Sequence, residues 1–190
     1  MSEPTKEIEV KGNTFVSTLT AVEALRGAEF RAAVLARLPK ESGDAFRYGS
    51  VISAGWYPVR WYRELHAAIV EEAGDIHYPR QVGRASMRVE MTGAHRMFLR
   101  IISVDLMQKQ GARFFGSYFR PVRVTVERMA PGLSQTHFAG CDGFDRNVWL
   151  EQAGCIEELL IQSGVRAPRV RFLSGGGDGD SDAILETGWR

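Results

Sequence analysis

The chain is poor in several things, and each shortage excludes something. Only two of its 190 residues are cysteines, Cys141 and Cys155. Two thiols make no disulfide framework and suit a reducing compartment. No apolar run is long enough to span a bilayer, and no secretion signal opens the chain, so a cytoplasmic protein without a membrane span is expected. Basic residues exceed acidic ones by one, 24 against 23. No global field therefore draws the chain to nucleic acid or to an anionic membrane. Four histidines are present, His66, His77, His95 and His137, and none stands at a metal-ligand spacing with another histidine or a cysteine. No Ser–His–Asp set, phosphate loop or dinucleotide fingerprint can be assembled. No catalytic residue, metal or cofactor is expected.

What the chain does have is an ordinary apolar fraction, 44%, enough for a real core in one domain. Met1 to Lys11 is charged and without period, and reads as a mobile tail. The rest, 12–190, reads as one α+β domain: a mainly helical part over 12–120 and a strand-strand-helix-strand-strand (ββαββ) part over 121–190.

The helical part is marked by apolar residues at spacings of three and four. Phe15, Val16, Leu19, Val22 and Leu25 form one stripe from Thr14, Gly27 divides it from a second, and Pro39 stops the run. A short helix is expected over Glu41–Tyr48. The turn Ser53–Pro58 leads into a helix ending near Gly74, and another helix begins near Tyr78. A last helix is expected from Val104 to Phe119. The two stripes before Leu38 are broad for one small domain, so a homodimer through these helices is expected.

The best-marked element is a helix over Phe144–Ser163. Phe144, Val148, Trp149, Ala153, Ile156, Leu159 and Leu160 share one face. Asp145, Glu151, Gln152, Glu157, Glu158 and Gln162 fall largely on the other, which implies a solvated side. Asp142 is placed to cap its start and Gly164 to end it. Val122, Val124 and Val126 alternate with polar residues as a strand. Pro131-Gly132 fits a tight turn, and Leu133–Ala139 returns. Val165–Leu173 and Ala183–Trp189 complete a four-stranded antiparallel sheet covered by the helix. Three alternate aspartates, Asp178, Asp180 and Asp182, evoke a calcium loop, but the required glycine and glutamate positions hold Ala183 and Trp189. A solvated hairpin loop is the expectation.

Two constellations could carry function. Arg80, Arg84 and Arg88 lie four apart and form a ridge, either a docking stripe for an acidic partner or a face paired with local acids. Aromatic residues cluster around Trp56–Tyr62 and Phe114–Phe119, as solid core or as the lining of an apolar pocket. The residues nominated for such a pocket are Tyr57, Trp61, His95, Phe98, Phe114 and Tyr118.

Short stretches carry a resemblance. Val10-Lys11-Gly12, Leu35 to Pro39, Trp56-Tyr57-Pro58, Gly83 to Ser86, His95-Arg96 to Arg100 and the helix-Gly164-strand unit resemble a myxobacterial paralogous protein family. The ββαββ end with helices before it also resembles TRAPP vesicle-tethering subunits and 4-vinyl-reductase-like domains. That resemblance implies a non-enzymatic regulatory or sensory domain that binds a hydrophobic or aromatic small molecule, or a ligand-free scaffold that binds a protein. Relatives of that kind often hold a cysteine pair in the last hairpin, and Phe172–Trp189 has none, which argues against zinc.

Overall fold

The computed structural model describes residues 7–91, 106, 110, 113 and 115–189. Its first strand already departs from expectation. Ile8 and Val10 are buried, and β1 (Glu9–Lys11) is the central strand of a three-stranded antiparallel sheet. It pairs with β2 (Trp56–Pro58), Val10 facing Tyr57, and with β3 (Phe119–Arg120), Val10 facing Phe119. The described part of the expected tail is thus core. Three residues of strand are too short for an alternation to show, so pairing partners far along the chain decide the outcome.

From β1 the chain passes directly into α1 (Gly12–Ala36). The φ of 87° at Gly27 breaks the helical path where the sequence divides the stripe. Phe15, Leu19, Val22, Phe30 and Val34 are buried within this chain's own core. The two stripes are therefore largely used internally, which removes the physical ground for expecting a homodimer through them; Val16 and Leu25 remain exposed. α2 (Lys40–Arg47) and α3 (Val59–Ala73) follow, α3 ending on the left-handed Gly74. α4 spans Tyr78–Glu90 with proline at its start. Half of the helix expected over Val104–Phe119 lies outside the described residues; Leu106, Gln110, Arg113 and Phe115 are helical, and Phe119 itself is strand.

The C-terminal unit is strand-strand-helix-strand-strand: β4 (Arg123–Ala130), β5 (Leu133–Ala139), α5 (Arg146–Gln162), β6 (Arg169–Ser174) and β7 (Ala183–Gly188). The sheet is antiparallel in the order β4-β5-β7-β6. Gly132 takes a φ of 75° in the β4–β5 turn. α5 is capped by Asp145, whose Oδ1 accepts from the Val148 N–H at 2.9 Å, rather than by Asp142. At its far end Gly164 is left-handed and the Val165 N–H returns to the Leu160 carbonyl at 3.1 Å.

α5 is covered on both sides. Trp149 is buried among Phe138, Phe144 and Phe172, at ring separations of 5.7, 4.8 and 6.4 Å, on the sheet side. α4 lies against the other side. There the backbones nearly touch: a Cβ on Gly83 would collide with the Glu151 carbonyl, and one on Gly154 with the Arg80 carbonyl. Glu151, Gln152 and Glu158 are therefore buried, although their place in the sequence marks them as solvated. Ile156 and Leu159, expected in the core, are only half-buried.

The loop after β6 behaves as a hairpin connection. Asp178 accepts from the Arg146 N–H at 2.9 Å, Asp180 from the Gly177 N–H at 2.8 Å and Asp182 from the Gly140 N–H at 3.2 Å. Each aspartate is thus engaged with backbone, and no metal-holding cluster exists among the described residues.

Candidate ligand cavity

Half-burial of Ile156 and Leu159 has a local cause: they face a cavity of about 110 Å³ instead of packed side chains. α5 forms one wall. Val124 and Val126 of β4 and Thr136 and Phe138 of β5 form the second. α4 contributes Ser86, Met87 and Glu90, and the start of α1 contributes Thr14 and Ser17. Phe115, Tyr118 and Phe119 close the remaining side. Phe115 stacks on Phe119 at 4.7 Å and meets Phe138 edge-on at 5.1 Å, so one wall is a continuous aromatic surface. An engineered apolar cavity of roughly 150 Å³ holds benzene. This one therefore suits a ligand of about one ring.

The polar groups converge on α4 and α5. Glu151 is 1% exposed. Its Oε1 accepts from the Cys155 thiol at 3.1 Å and, at the 3.4 Å limit, from the Ser86 hydroxyl; the Gln152 amide donates to Oε2. No cation balances it among the described residues of the lining. Burial pushes the Glu151 carboxyl up to about 7, with the charge of Glu90 adding and the bonds from Cys155, Tyr62 and Ser86 opposing. Burial, then the neighbouring Glu151, holds the Cys155 thiol well above its ordinary range, so it is a protonated donor and not a nucleophile. Tyr62 is raised by burial and by Glu151, and its hydroxyl lies 3.0 Å from Thr18 Oγ1.

Glu90 stands nearer the surface. Its Oε1 accepts from the Ser17 hydroxyl at 2.7 Å and from the Asn13 amide at 3.3 Å. Tyr118 is raised by burial and by its hydrogen bond with Glu90. A second, more open cleft of about 340 Å³ shares Ser17, Glu90 and Tyr118 with the cavity. These three side chains form the partition between them.

Of the residues nominated from sequence, Tyr118 lines the cavity. Tyr57 and Trp61 do not. They stack on each other at 5.6 Å, and the Tyr57 hydroxyl donates to the Ser50 carbonyl and accepts from the Ile52 N–H. They brace the loop before β2 against Phe15. His95, Phe98 and Phe114 lie outside the described residues. The polar residues Glu90, Glu151 and Cys155 were missed. The available signal was an acid and a thiol one turn apart on a helix followed by exposed-looking acids, and that reads as surface until α4 is placed.

The arginine ridge reaches across to α5 while Arg84 and Arg88 stay exposed. Arg80 binds Glu157 at 2.5 Å and the Val170 carbonyl at 2.6 Å. Arg88 grips Glu158 with two bonds of 2.8 and 2.7 Å, and Arg84 stands 3.9 Å from the same carboxylate. Of the two readings of the ridge, the structure shows pairing with acids, as a clamp between α4 and α5. Its acids come from α5, not from α4, because the close glycine contact brings the two helices within reach.

No family model and no curated protein matches the chain. Solved structures do. A ferrous, unliganded H-NOX protein from K. algicida superposes with a TM-score of 0.68 at 12% identity, over 95% of this chain and 96% of that one. An oxygen-binding H-NOX domain related to soluble guanylate cyclases gives 0.60 at 17% identity, over 95% of each chain. A protein studied for how porphyrin distortion modulates heme redox potential gives 0.61 at 16%, again over 95% of each. At such identities the likeness is one of fold. It corrects the resemblance read from sequence: the architecture is that of H-NOX domains, not of TRAPP subunits or 4-vinyl-reductase-like domains, and the myxobacterial family assignment is withdrawn with it. Helices followed by a ββαββ unit describe all of these arrangements, and the pairing of β1 with β2 and β3 was not legible in the sequence.

Proposed function

We propose that this chain is a non-catalytic sensory or regulatory domain that takes a small apolar ligand into the cavity between α4, α5 and the sheet. The observation that carries the reading is the cavity itself: an aromatic and aliphatic enclosure with a few converging polar groups, opening toward a surface cleft. The fold supports it, since solved neighbours include an oxygen-binding H-NOX domain. The chemistry of the lining supports the absence of catalysis. Among the described lining residues the Cys155 thiol and the Tyr118 phenol are held protonated by burial, Cys155 even with the Glu151 carboxyl 3.1 Å away.

Heme, named for a neighbour, is the cofactor this fold suggests. The described lining does not suit its carboxylates: none of those residues is a histidine, lysine or arginine, and Glu90 and Glu151 face the same space. Met87, Tyr118 and Cys155 are of residue types that can ligate heme iron, but burial holds Tyr118 and Cys155 protonated. His95 lies outside the described residues.

Native mass spectrometry of the chain purified from its own cells, together with thermal shifts in single-ring compounds, tests the reading. A bound small molecule, or a rise in Tm with a ring compound at millimolar concentration, is expected. An apo mass with no shift from any ring compound overturns it.

A further inference from the structure

We propose that the cavity selects an apolar, single-ring ligand bearing a protonated amine, seated with its ammonium against Glu90 and Glu151. This rests on the cavity being a ligand site, as argued above, and specifies what that site takes.

Three observations point there. Glu151 is buried and accepts three hydrogen bonds, yet no cation accompanies it among the described residues of the lining. A buried carboxyl without a countercharge keeps its proton, and a ligand that supplies positive charge lets it ionise. Second, Thr14 lines the same cavity, is 7% exposed, and its Oγ1 has no partner. A buried hydroxyl left without a bond is costly, and an ammonium group has three donors to offer. Third, the aromatic wall of Phe115, Phe119 and Phe138 presents ring faces and edges to an apolar body. Cations favour such surfaces too.

The alternatives are worse on charge. An anionic ligand brings a further negative charge beside Glu90 and Glu151, and like charges in a desolvated site cost several kcal/mol. A neutral ring gains burial but leaves Thr14 and both carboxylates as they were. An ammonium pairs with Glu151 as it ionises, and the proton from the carboxyl passes to solvent. Binding below pH 7 therefore releases up to one proton. Among the described residues the titratable groups facing Glu151 are Glu90 on α4, Tyr62 on α3 and Cys155 on α5, with Tyr118 acting through Glu90. The tyrosines and the thiol are held protonated, so the proton released is the one burial keeps on Glu151.

Isothermal titration of the full chain at about pH 6 with benzylamine, benzyl alcohol and benzoate separates the possibilities. Benzylamine is expected to bind at least tenfold tighter than the alcohol and benzoate most weakly. In buffers of differing ionisation enthalpy, benzylamine binding should show proton release and the alcohol none. In Glu151→Gln the amine-to-alcohol affinity ratio should fall at least fivefold and proton release should vanish. Glu90→Gln, at the more exposed edge, should lower the same ratio and serves if the first variant fails to fold. Benzoate binding as tightly as benzylamine, or a ratio unchanged in both variants, overturns the amine assignment and leaves the cavity reading standing. If none of the three probes binds, the cavity reading falls and this inference with it.

Discussion

Replacing Glu151 by glutamine removes one ionisable group from the interior and keeps its shape. Folding raises this carboxyl from its ordinary 4.5 to about 7. Between those values the native protein keeps a proton that the unfolded chain has already released. This contribution is thus fully present below pH 4.5 and is lost as pH rises through about 7. At about 1.4 kcal/mol for each pH unit, the rise corresponds to about 3 kcal/mol of stability lost between pH 4.5 and 8. Glu151→Gln should therefore lack that part of the decline. Its oxygen can still accept from Ser86 and Cys155, but its amide meets the Gln152 amide donor. That adds an offset of about 1 kcal/mol with no pH dependence. The informative quantity is therefore the change in the difference between variant and wild type, measured by urea denaturation in steps from pH 4.5 to 8. It should move by about 3 kcal/mol in favour of the variant. A difference that stays constant across this range would refute the argument that Glu151 is buried without a countercharge.

Three further outcomes follow from the same coordinates. His66 is fully buried with neither ring nitrogen bonded, and burial lowers its pKa from 6.5 to about 3. The contribution of His66 to stability should therefore fall as pH drops below 6.5, and His66→Leu should lack that part of the slope in acid denaturation. Gly83→Ala should destabilise the fold by about 1–3 kcal/mol, because the added methyl meets backbone rather than a flexible tip; a Tm equal to wild type would show that α4 and α5 sit further apart. Ile8→Ala should cost about 2–5 kcal/mol in chemical denaturation, whereas a mobile tail would show no change.

The C-terminal unit was largely legible in the sequence because its signals are local. Alternating valines, a Pro-Gly turn and a glycine-ended helix each fix an element within a few residues. Which side of α5 faces water was not legible. Its acids follow the period of a solvated face, and only the approach of α4 at Gly83 and Gly154 buries them. The arginine ridge was seen but its partners were not, for the same reason: its acids lie about 70 residues downstream. Of the pocket, the aromatic wall was partly visible through Tyr118. Its carboxylates were hidden, since a buried glutamate spells the same as an exposed one. β1 was missed because three residues carry no period, and its burial depends on partners at 56–58 and 119–120.

The meeting of Gly83 with Glu151 and of Gly154 with Arg80 acts as a pivot. Two rods that touch backbone to backbone at one place can turn about it, but they cannot draw nearer there. The arginine clamps on Glu157 and Glu158 resist their separation. Glu90 sits beyond this fulcrum on α4, and Glu151 sits at it on α5. Turning α4 about that point would strain the Arg80–Glu157 and Arg88–Glu158 pairs, which hold it on either side.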